Sequence, residues 1–369
     1  MCSLRLLADD LTGALDSAAA FATSSAPVAV YWHGEVDTQV SFAFDSATRE
    51  ADTAEARLTI AHLSALLAGS GNGITYKKID SLFRGHEALE LDAILHRLKP
   101  AHCIIAPAFP AQRRVTRGGR QYAYGPDGWT CIETDLCSEL RALGHAVSNM
   151  QSSGILPSGI SFWDAENDDD LSQIISATSD LEDVLWVGSG GLAAALARHQ
   201  NFAGETVEAE ELQLPILGLF GTQHPVTRAQ ISAVTEHHLE IKPGQQSDAV
   251  KEKLTEKNVA FVSVSIREET SRNDAATQIK TAFSSLLETI PAPGTLVAAG
   301  GETLRGLCVA LGTHHLDVIG EFSPGIPCSI MRGGRWEGTI ILSKSGAFGA
   351  PDLLQKLLAV TAAAQKLES

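Results

Sequence analysis

Positive charge is scarce in this chain: lysine and arginine number 28 against 44 aspartates and glutamates, a formal net charge of -16 over 369 residues. So acidic a molecule offers no broad basic surface to a polyanion, and nucleic acid is excluded as an expected partner. Long apolar runs are missing too. No segment approaches the ~20 apolar residues a bilayer span needs, so no membrane association is expected. The opening run from Met1 to Asp10 is too short for a signal peptide and ends in two acids, which points to a cytoplasmic protein. Cysteines stand at positions 2, 103, 131, 137, 308 and 328 and form no CxxC pair. That scatter suits reduced thiols, with Cys103 and Cys308 buried in apolar runs and a Cys131–Cys137 disulfide the lesser reading. The pairs His237-His238 and His314-His315 lack a metal-ligand companion, and no resident metal site is expected. Neither a P-loop GxxxxGK[ST] nor a Rossmann GxGxxG occurs, and there is no internal repeat or low-complexity tract.

What is present is an ordinary globular composition, 44% hydrophobic and 20% charged, with a length comfortable for two cores. Short apolar strands alternate with helical periodicity. Strands are predicted over Leu4–Ala8, Val28–Trp32, Ser41–Phe44, Ile74–Lys78, Cys103–Ala106, Ile160–Trp163 and Val184–Val187. They resume over Ile216–Phe220, Leu239–Ile241, Val259–Val264, Thr295–Ala299, Val318–Glu321 and Thr339–Leu342. The helical stripes Leu91, Ile94, Leu95, Leu98 and Leu304, Leu307, Cys308, Leu311 fall between them. The expected class is α/β: two domains, each a mostly parallel sheet flanked by helices, with an interdomain cleft. The polar, acidic stretch Asn201–Leu214 marks the boundary, dividing the chain into 1–205 and 206–369.

In open α/β sheets ligands gather at the carboxyl ends of strands, and several turns there are chemically loaded. Asp9-Asp10-Leu11-Thr12-Gly13-Ala14 follows the first strand. Two acids can hold a magnesium ion, bind sugar hydroxyls or act as a base; alternatively Asp10 caps the helix carrying Leu11, Leu15 and Ala18. The turn Lys77-Lys78-Ile79-Asp80-Ser81-Leu82-Phe83-Arg84-Gly85-His86-Glu87 is cationic within an acidic molecule, which suits a small anionic ligand. There Arg84 could grip a carboxylate bidentately with Lys78 beside it, and Asp80 could accept a hydroxyl proton. Strand alternation buries one of the two lysines, so a partner or ligand is expected for it. Arg113, Arg114, Arg117 and Arg120 cluster after another strand and suit an anionic group. In the second half, Gly221-Thr222, Gly300-Gly301-Glu302-Thr303 and Lys344-Ser345-Gly346 each follow a strand and precede a helix. Helix-start amides attract phosphate and glycine lets it come close, so a nucleotide is expected.

Together these segments resemble the four-carbon acid sugar kinases. The resemblance rests on Asp9 to Ala14, Lys77 to Ser81 with Arg84-Gly85-His86, and Pro107-Ala108-Phe109-Pro110 followed by Arg114 and Gly119. It continues in Gly221 to Ile231, Gly300 to Thr303, Pro324-Gly325-Ile326-Pro327, and Lys344-Ser345-Gly346 with Phe348-Gly349. It implies an N-terminal acid-sugar domain and a C-terminal ATP domain. The implied activity is transfer of the ATP γ-phosphoryl, with Mg2+, to the terminal hydroxyl of a tetronate or 3-oxo-tetronate. By motif, Thr222, Gly300, Gly301, Glu302, Thr303, Lys344 and Gly346 would contact ATP. Asp9, Asp10, Lys78, Asp80, Ser81, Arg84 and Arg114 would line the acid-sugar site. The choice of Asp80 or Asp10 to take the proton comes from the chemistry of the turns and not from the resemblance. The chain departs from the pattern at Leu82, Phe83 and Ala347 and in a short loop between Gly125 and Asp135. A non-catalytic nucleotide- or sugar-acid-sensing protein is the competing reading, and a homo-oligomer is left open.

Overall fold

The structure, a computed structural model, describes residues 3–69, 73–150, 158–202, 204–243, 248–267 and 269–359. Met1 and Cys2 lie outside the described residues. The chain forms two compact units. The first comprises the chain up to Ala22 and Val28–Gly204; the second comprises Thr23–Pro27 and the chain from Glu205 onward. The Ser24 N–H donates to the Glu205 carboxylate at 2.6 Å, tying that short turn into the second unit.

In the first unit the order is β1 (Leu4–Ala8), α1 (Leu11–Ala19), β2 (Val28–Tyr31), β3 (Phe42–Asp45), α2 (Thr53–Leu63), β4 (Ile74–Lys78), α3 (Glu87–Leu98) and β5 (His102–Ala106). There follow β6 (Arg114–Arg117), β7 (Arg120–Gly125), β8 (Gly128–Cys131), α4 (Leu136–Ala142), β9 (Val147–Met150), β10 (Gly159–Trp163), α5 (Asp168–Ala177), β11 (Val184–Gly188) and α6 (Gly190–His199). The main sheet runs β2-β3-β1-β4-β11-β5-β10-β9, parallel throughout. Its central strands are buried on both faces, which is why they read as near-continuous apolar runs without alternation. Helix α1 starts where Asp10, in extended conformation, accepts the Gly13 N–H at 2.9 Å, so Asp10 does cap that helix. Helix α3 buries Ala88, Leu91 and Ile94 against a core that also holds Phe83 and Leu140.

The second unit contains β12 (Ile216–Phe220), α7 (Pro225–Ser232), β13 (His238–Ile241), α8 (Asp248–Lys257), β14 (Val259–Val264), α9 (Arg272–Thr289) and β15 (Thr295–Ala299). It continues through α10 (Gly301–Leu311), β16 (His315–Ser323), β17 (Ile326–Arg332) and β18 (Ile340–Lys344). Its strands run β13-β14-β12-β15-β18-β17-β16; the first five are parallel, and β17 is antiparallel to both β18 and β16. The stripe Leu304, Leu307, Cys308, Leu311 on α10 is buried as its spacing predicts, and Gly312 ends the helix at φ +71.

The two units share one winding. In each, the first strand is followed by an edge strand, then by a strand that fills the gap between them, and then the chain crosses to the other side of the first strand. The order therefore reverses between β1 and β4 in one unit and between β12 and β15 in the other. Such reversals open a crevice at the strands' carboxyl ends.

The reading differs from the structure at β9 (Val147–Met150), whose mixed polar sequence does not announce a strand, and in one further region of the first unit. Residues 114–131 fold as a three-stranded antiparallel sheet, β6-β7-β8, turned at Gly118-Gly119 with φ +57 and +73. Its charged strands carry no apolar run to reveal them. Strand β17 was hidden too, because Pro327 interrupts its pattern. Among the described residues the cysteines are free thiols, Cys131 exposed and Cys137 buried. No helix among the described residues is long and apolar enough to cross a membrane.

Candidate functional site

Strand register brings the first set of turns together. Ala8 pairs with both Asp45 and Lys78, Lys78 with Gly188, and Gly188 with Ala106. The residues just past these positions, Asp9, Asp10, Arg49, Asp80 and Ser81, are thereby gathered at the β1/β4 reversal. Arg49 sits at the centre. It donates to both oxygens of Asp9, at 2.7 and 2.9 Å, and to both of Asp10, at 2.6 and 2.9 Å. Asp80 receives the Arg84 fork at 2.6 and 2.9 Å and the Arg84 amide at 3.2 Å. The Arg49 and Arg84 guanidiniums hold the Asp9 and Asp80 carboxyls below the usual range, against the cost of burial. Burial pushes Asp10 the other way.

The adjacent lysines part company. Lys77 is fully buried and pairs with Glu90 at 2.5 Å, while Glu90 also accepts from Thr48. Lys78 turns to the site instead. Its ammonium donates to the Ile79 carbonyl at 3.0 Å and lies over Gly13, where a Cβ would stand 2.8 Å from it. Glycine at 13 leaves room for both the lysine and the capping Asp10 carboxylate, whose Oδ1 would stand 2.5 Å from an added Cβ.

The arginine cluster read from the sequence disperses. Arg117 pairs with Glu166 at 2.8 Å and stacks on Trp129, Arg113 lies over Tyr124, and Arg120 pairs with Asp135 at 3.3 Å. Only Arg114 reaches the site, donating to the Ser81 hydroxyl. Burial lowers the Arg114 pKa, whereas acids raise those of Arg49 and Arg84. Among the described residues Arg114 forms no ion pair, so it is the under-compensated arginine of the group. Phe83 occupies left-handed backbone at φ +53 and drives its ring into the core at 6% exposure, which accounts for an aromatic residue in that turn. His86 is engaged with the Ala51 carbonyl at 2.8 Å.

Three contributors were not singled out from the sequence. Arg49 stands alone after a strand, and nothing nearby in sequence announces its two carboxylate partners. Gln121, fully buried, donates to the carbonyls of Ser81 and Pro107 at 3.0 and 3.3 Å and locks the β7 strand under the turn. Asp16 lies one helical turn beyond Gly13 on α1, and that i, i+3 spacing was its available signal. Replacing the central cation leaves two carboxylates uncompensated. Arg49→Ala is therefore expected to cost about 3–5 kcal/mol and to lower the melting temperature by roughly 10 °C at neutral pH. Because the Asp9 pKa is depressed on folding, its contribution is present above the unfolded value of about 4 and fades as pH falls through the folded one. Thermal melts of both proteins from pH 7 down to pH 3 should show the gap narrowing.

In the second unit Phe220 pairs with Ala299, and Ala299 with Lys344, so the three glycine turns also converge. A cavity of about 560 Å³ opens at the β12/β15 reversal. Gly221, Thr222, Gly300, Gly301, Glu302 and Thr303 line one side; Ile266, Ala276, Ile279, Phe283 and Leu307 supply an apolar wall; Arg272 and Lys280 come from α9. Helix α10 begins at this cavity with no side-chain cap, and Gly300 takes φ +104. A Cβ on Gly221 would collide with Thr303, and one on Gly346 with Thr222. Gly346 and Lys344 are placed beside the turn but outside the cavity lining. Lys344 is buried at 2% exposure, donates to the Thr227 hydroxyl at 2.7 Å and to the Ser345 carbonyl at 3.1 Å, and burial lowers its pKa to about 8.

The family model for a sugar-binding N-terminal domain matches residues 4–157, and that for a nucleotide-binding C-terminal domain matches residues 217–354. A D-threonate kinase of Cupriavidus necator is 28% identical, over 94% of each chain. The chain belongs to the four-carbon acid sugar kinase family. It is accordingly a sugar-acid kinase, a phosphotransferase. A 3-oxo-tetronate kinase of Pseudomonas fluorescens is 24% identical over 77% of this chain and 70% of its own. A D-erythronate kinase of Heliobacterium modesticaldum is 22% identical over 95% of each. The fold recurs in a solved protein from Salmonella typhimurium LT2, with TM-score 0.75 at 19% identity and 98% and 99% coverage. A Haemophilus influenzae protein, at TM-score 0.67 and 18% identity, covers 96% and 99%.

Proposed function

We propose that this kinase uses ATP to phosphorylate the terminal hydroxyl of a four-carbon acid sugar, a tetronate or 3-oxo-tetronate. The observation that carries the reading is the pair of strand-order reversals, one furnished for a hydroxylated carboxylate and the other for a phosphorylated nucleotide. In the first unit Arg114 and Lys78 hold the substrate carboxylate, since each has cationic capacity left over. Asp9, Asp10, Asp80, Ser81 and Arg84 shape the site and bind hydroxyls, with Arg49 fixing the acids.

The second-unit residues fit ATP on three counts. Helix α10 starts without a side-chain cap, so its first amides are open to phosphate. Gly221 and Gly346 leave room that a side chain would fill, and the Ile266–Phe283 wall offers an apolar face to a base. Gly300, Gly301, Glu302 and Thr303 cradle the phosphates with Thr222, and Lys344 holds the Gly346 turn and adds charge. Magnesium, when bound with the nucleotide, would neutralise the phosphate charge, with few protein ligands. Phosphoryl transfer depends chiefly on positioning and charge neutralisation, which is what these groups supply.

The test is nucleotide consumption across a panel of threonates, erythronates and 3-oxo-tetronates, with product mass measured. Turnover of one of these acids, giving ADP and a monophosphorylated acid, is expected. Tight binding of nucleotide and acid with no turnover would replace the reading with a sensing protein.

A further inference from the structure

Resting on that reading, we propose that Asp16 is the group that takes the proton from the sugar-acid hydroxyl. The two acids offered by the sequence are occupied. Both oxygens of Asp80 accept from Arg84, and both oxygens of Asp10 accept from Arg49 while one also caps α1. Asp9 is likewise covered by Arg49. Glu87 is buried at 4% exposure and accepts the Gly85 N–H at 3.1 Å, so it braces the turn.

Asp16 differs from all of them. It is half-buried on α1, and among the described residues it receives no hydrogen bond and forms no ion pair. Its Oδ2 lies where α6 begins, 2.7 Å from the position a Cβ on Gly190 would take; with no side chain at 190, the carboxylate and the Phe109 ring share that space. The titratable and charged groups facing it are Lys78 and the buried Tyr76 from β4, Arg114 from β6 and Asp10 at the start of its own helix. Lys78 and Arg114 are the same two cations assigned to the substrate carboxylate. A four-carbon acid spans only a few ångströms, so with its carboxylate on those cations its far hydroxyl stays within reach of Asp16. Desolvation raises the Asp16 carboxyl to about 6, so at neutral pH it is ionised yet more basic than an ordinary aspartate.

The step balances. The hydroxyl oxygen forms a bond to the γ-phosphorus of the nucleoside triphosphate, and its proton passes to an Asp16 oxygen. The bond from that phosphorus to the β,γ-bridging oxygen breaks, and its electron pair leaves on the diphosphate. The proton then returns to solvent.

The experiment compares wild type with Asp16→Asn by kcat, KM for the acid, acid binding by calorimetry, and pH profile at saturating nucleotide. Expected for the variant are a kcat reduced ~10²–10⁴-fold and acid affinity within a few-fold of wild type. The wild-type kcat/KM should fall tenfold per pH unit below about 6. The variant should lose that limb. Wild-type enzyme active on an acid sugar, with Asp16→Asn retaining full kcat and the same profile, overturns the assignment alone. A wild-type profile flat from pH 5 to 8 does so even if the variant does not fold. Wild type inactive on the whole panel overturns the kinase reading and the assignment with it.

Discussion

Gly221→Ala is expected to weaken ATP binding at least a hundredfold while leaving sugar-acid binding unchanged. The added methyl has no free volume. It meets Thr303, on the first turn of α10, and stands 3.0 Å from Cγ2 of Ile279 on α9. Both neighbours are β-branched and stiff, and both line the cavity, so relief requires the helix start to move away from β12. A phosphate held by helix-start amides loses its geometry when those amides shift. A hundredfold loss corresponds to about 2.7 kcal/mol, a plausible sum for two or three charge-assisted hydrogen bonds made worse. Gly306→Ala is the control. Gly306 lines the same cavity, yet the nearest atom to its added Cβ is Lys280 Cγ at 3.8 Å, an ordinary contact. Calorimetry with a non-hydrolysable ATP analogue should show the first variant impaired and the second near wild type. Equal affinity in all three proteins would remove the nucleotide from this cavity.

Arg114→Met is expected to raise KM for the acid sugar by about 10²–10³-fold with nucleotide affinity intact. Every other arginine at the β1/β4 reversal has carboxylate partners: Arg49 has Asp9 and Asp10, and Arg84 has Asp80. Arg114 is half-buried, is bound to a neutral hydroxyl, and has its pKa lowered by desolvation. A cation in that condition gains most from an incoming carboxylate, and cutting such a charge pair costs 2–5 kcal/mol. Arg114→Lys should recover only part of the loss, because an ammonium is a point charge and cannot present two parallel donors. Steady-state kinetics in both substrates reads the result directly. An unchanged KM would transfer the carboxylate to Arg84 and Lys78.

These expectations show where the sequence is informative. Parallel strands buried on both faces are written as short apolar runs, so Leu4–Ala8, Ile74–Lys78, Ile216–Phe220, Val259–Val264 and Thr295–Ala299 could be read to the residue. The turns after them carry polar residues with no structural need for so many, and register then brings those turns together. What stayed hidden depends on distance in sequence. Arg49 finds Asp9 and Asp10 forty residues earlier, and Arg114 finds Ser81 across 33 residues. The neighbouring Lys77 and Lys78 look alike as text and take opposite fates, because strand alternation sends one to Glu90 and the other to the site. The arginines after Pro110 misled in the other direction: crowded in sequence, they are spread over two faces of a small antiparallel sheet. The shared winding of the two units left no sequence repeat, since topology fixes strand order without fixing side chains.

The most direct test is a crystal structure of the protein with a non-hydrolysable ATP analogue and the acid sugar that the panel selects. The account predicts the triphosphate on the amides of Gly301 to Thr303 and the carboxylate on Arg114 and Lys78. It further predicts the terminal oxygen in line with the γ-phosphorus at roughly 3–3.5 Å, and an Asp16 oxygen within hydrogen-bond reach of it. A nucleotide bound at the β1/β4 reversal, or an acid sugar bound among the glycines of the second unit, would contradict it.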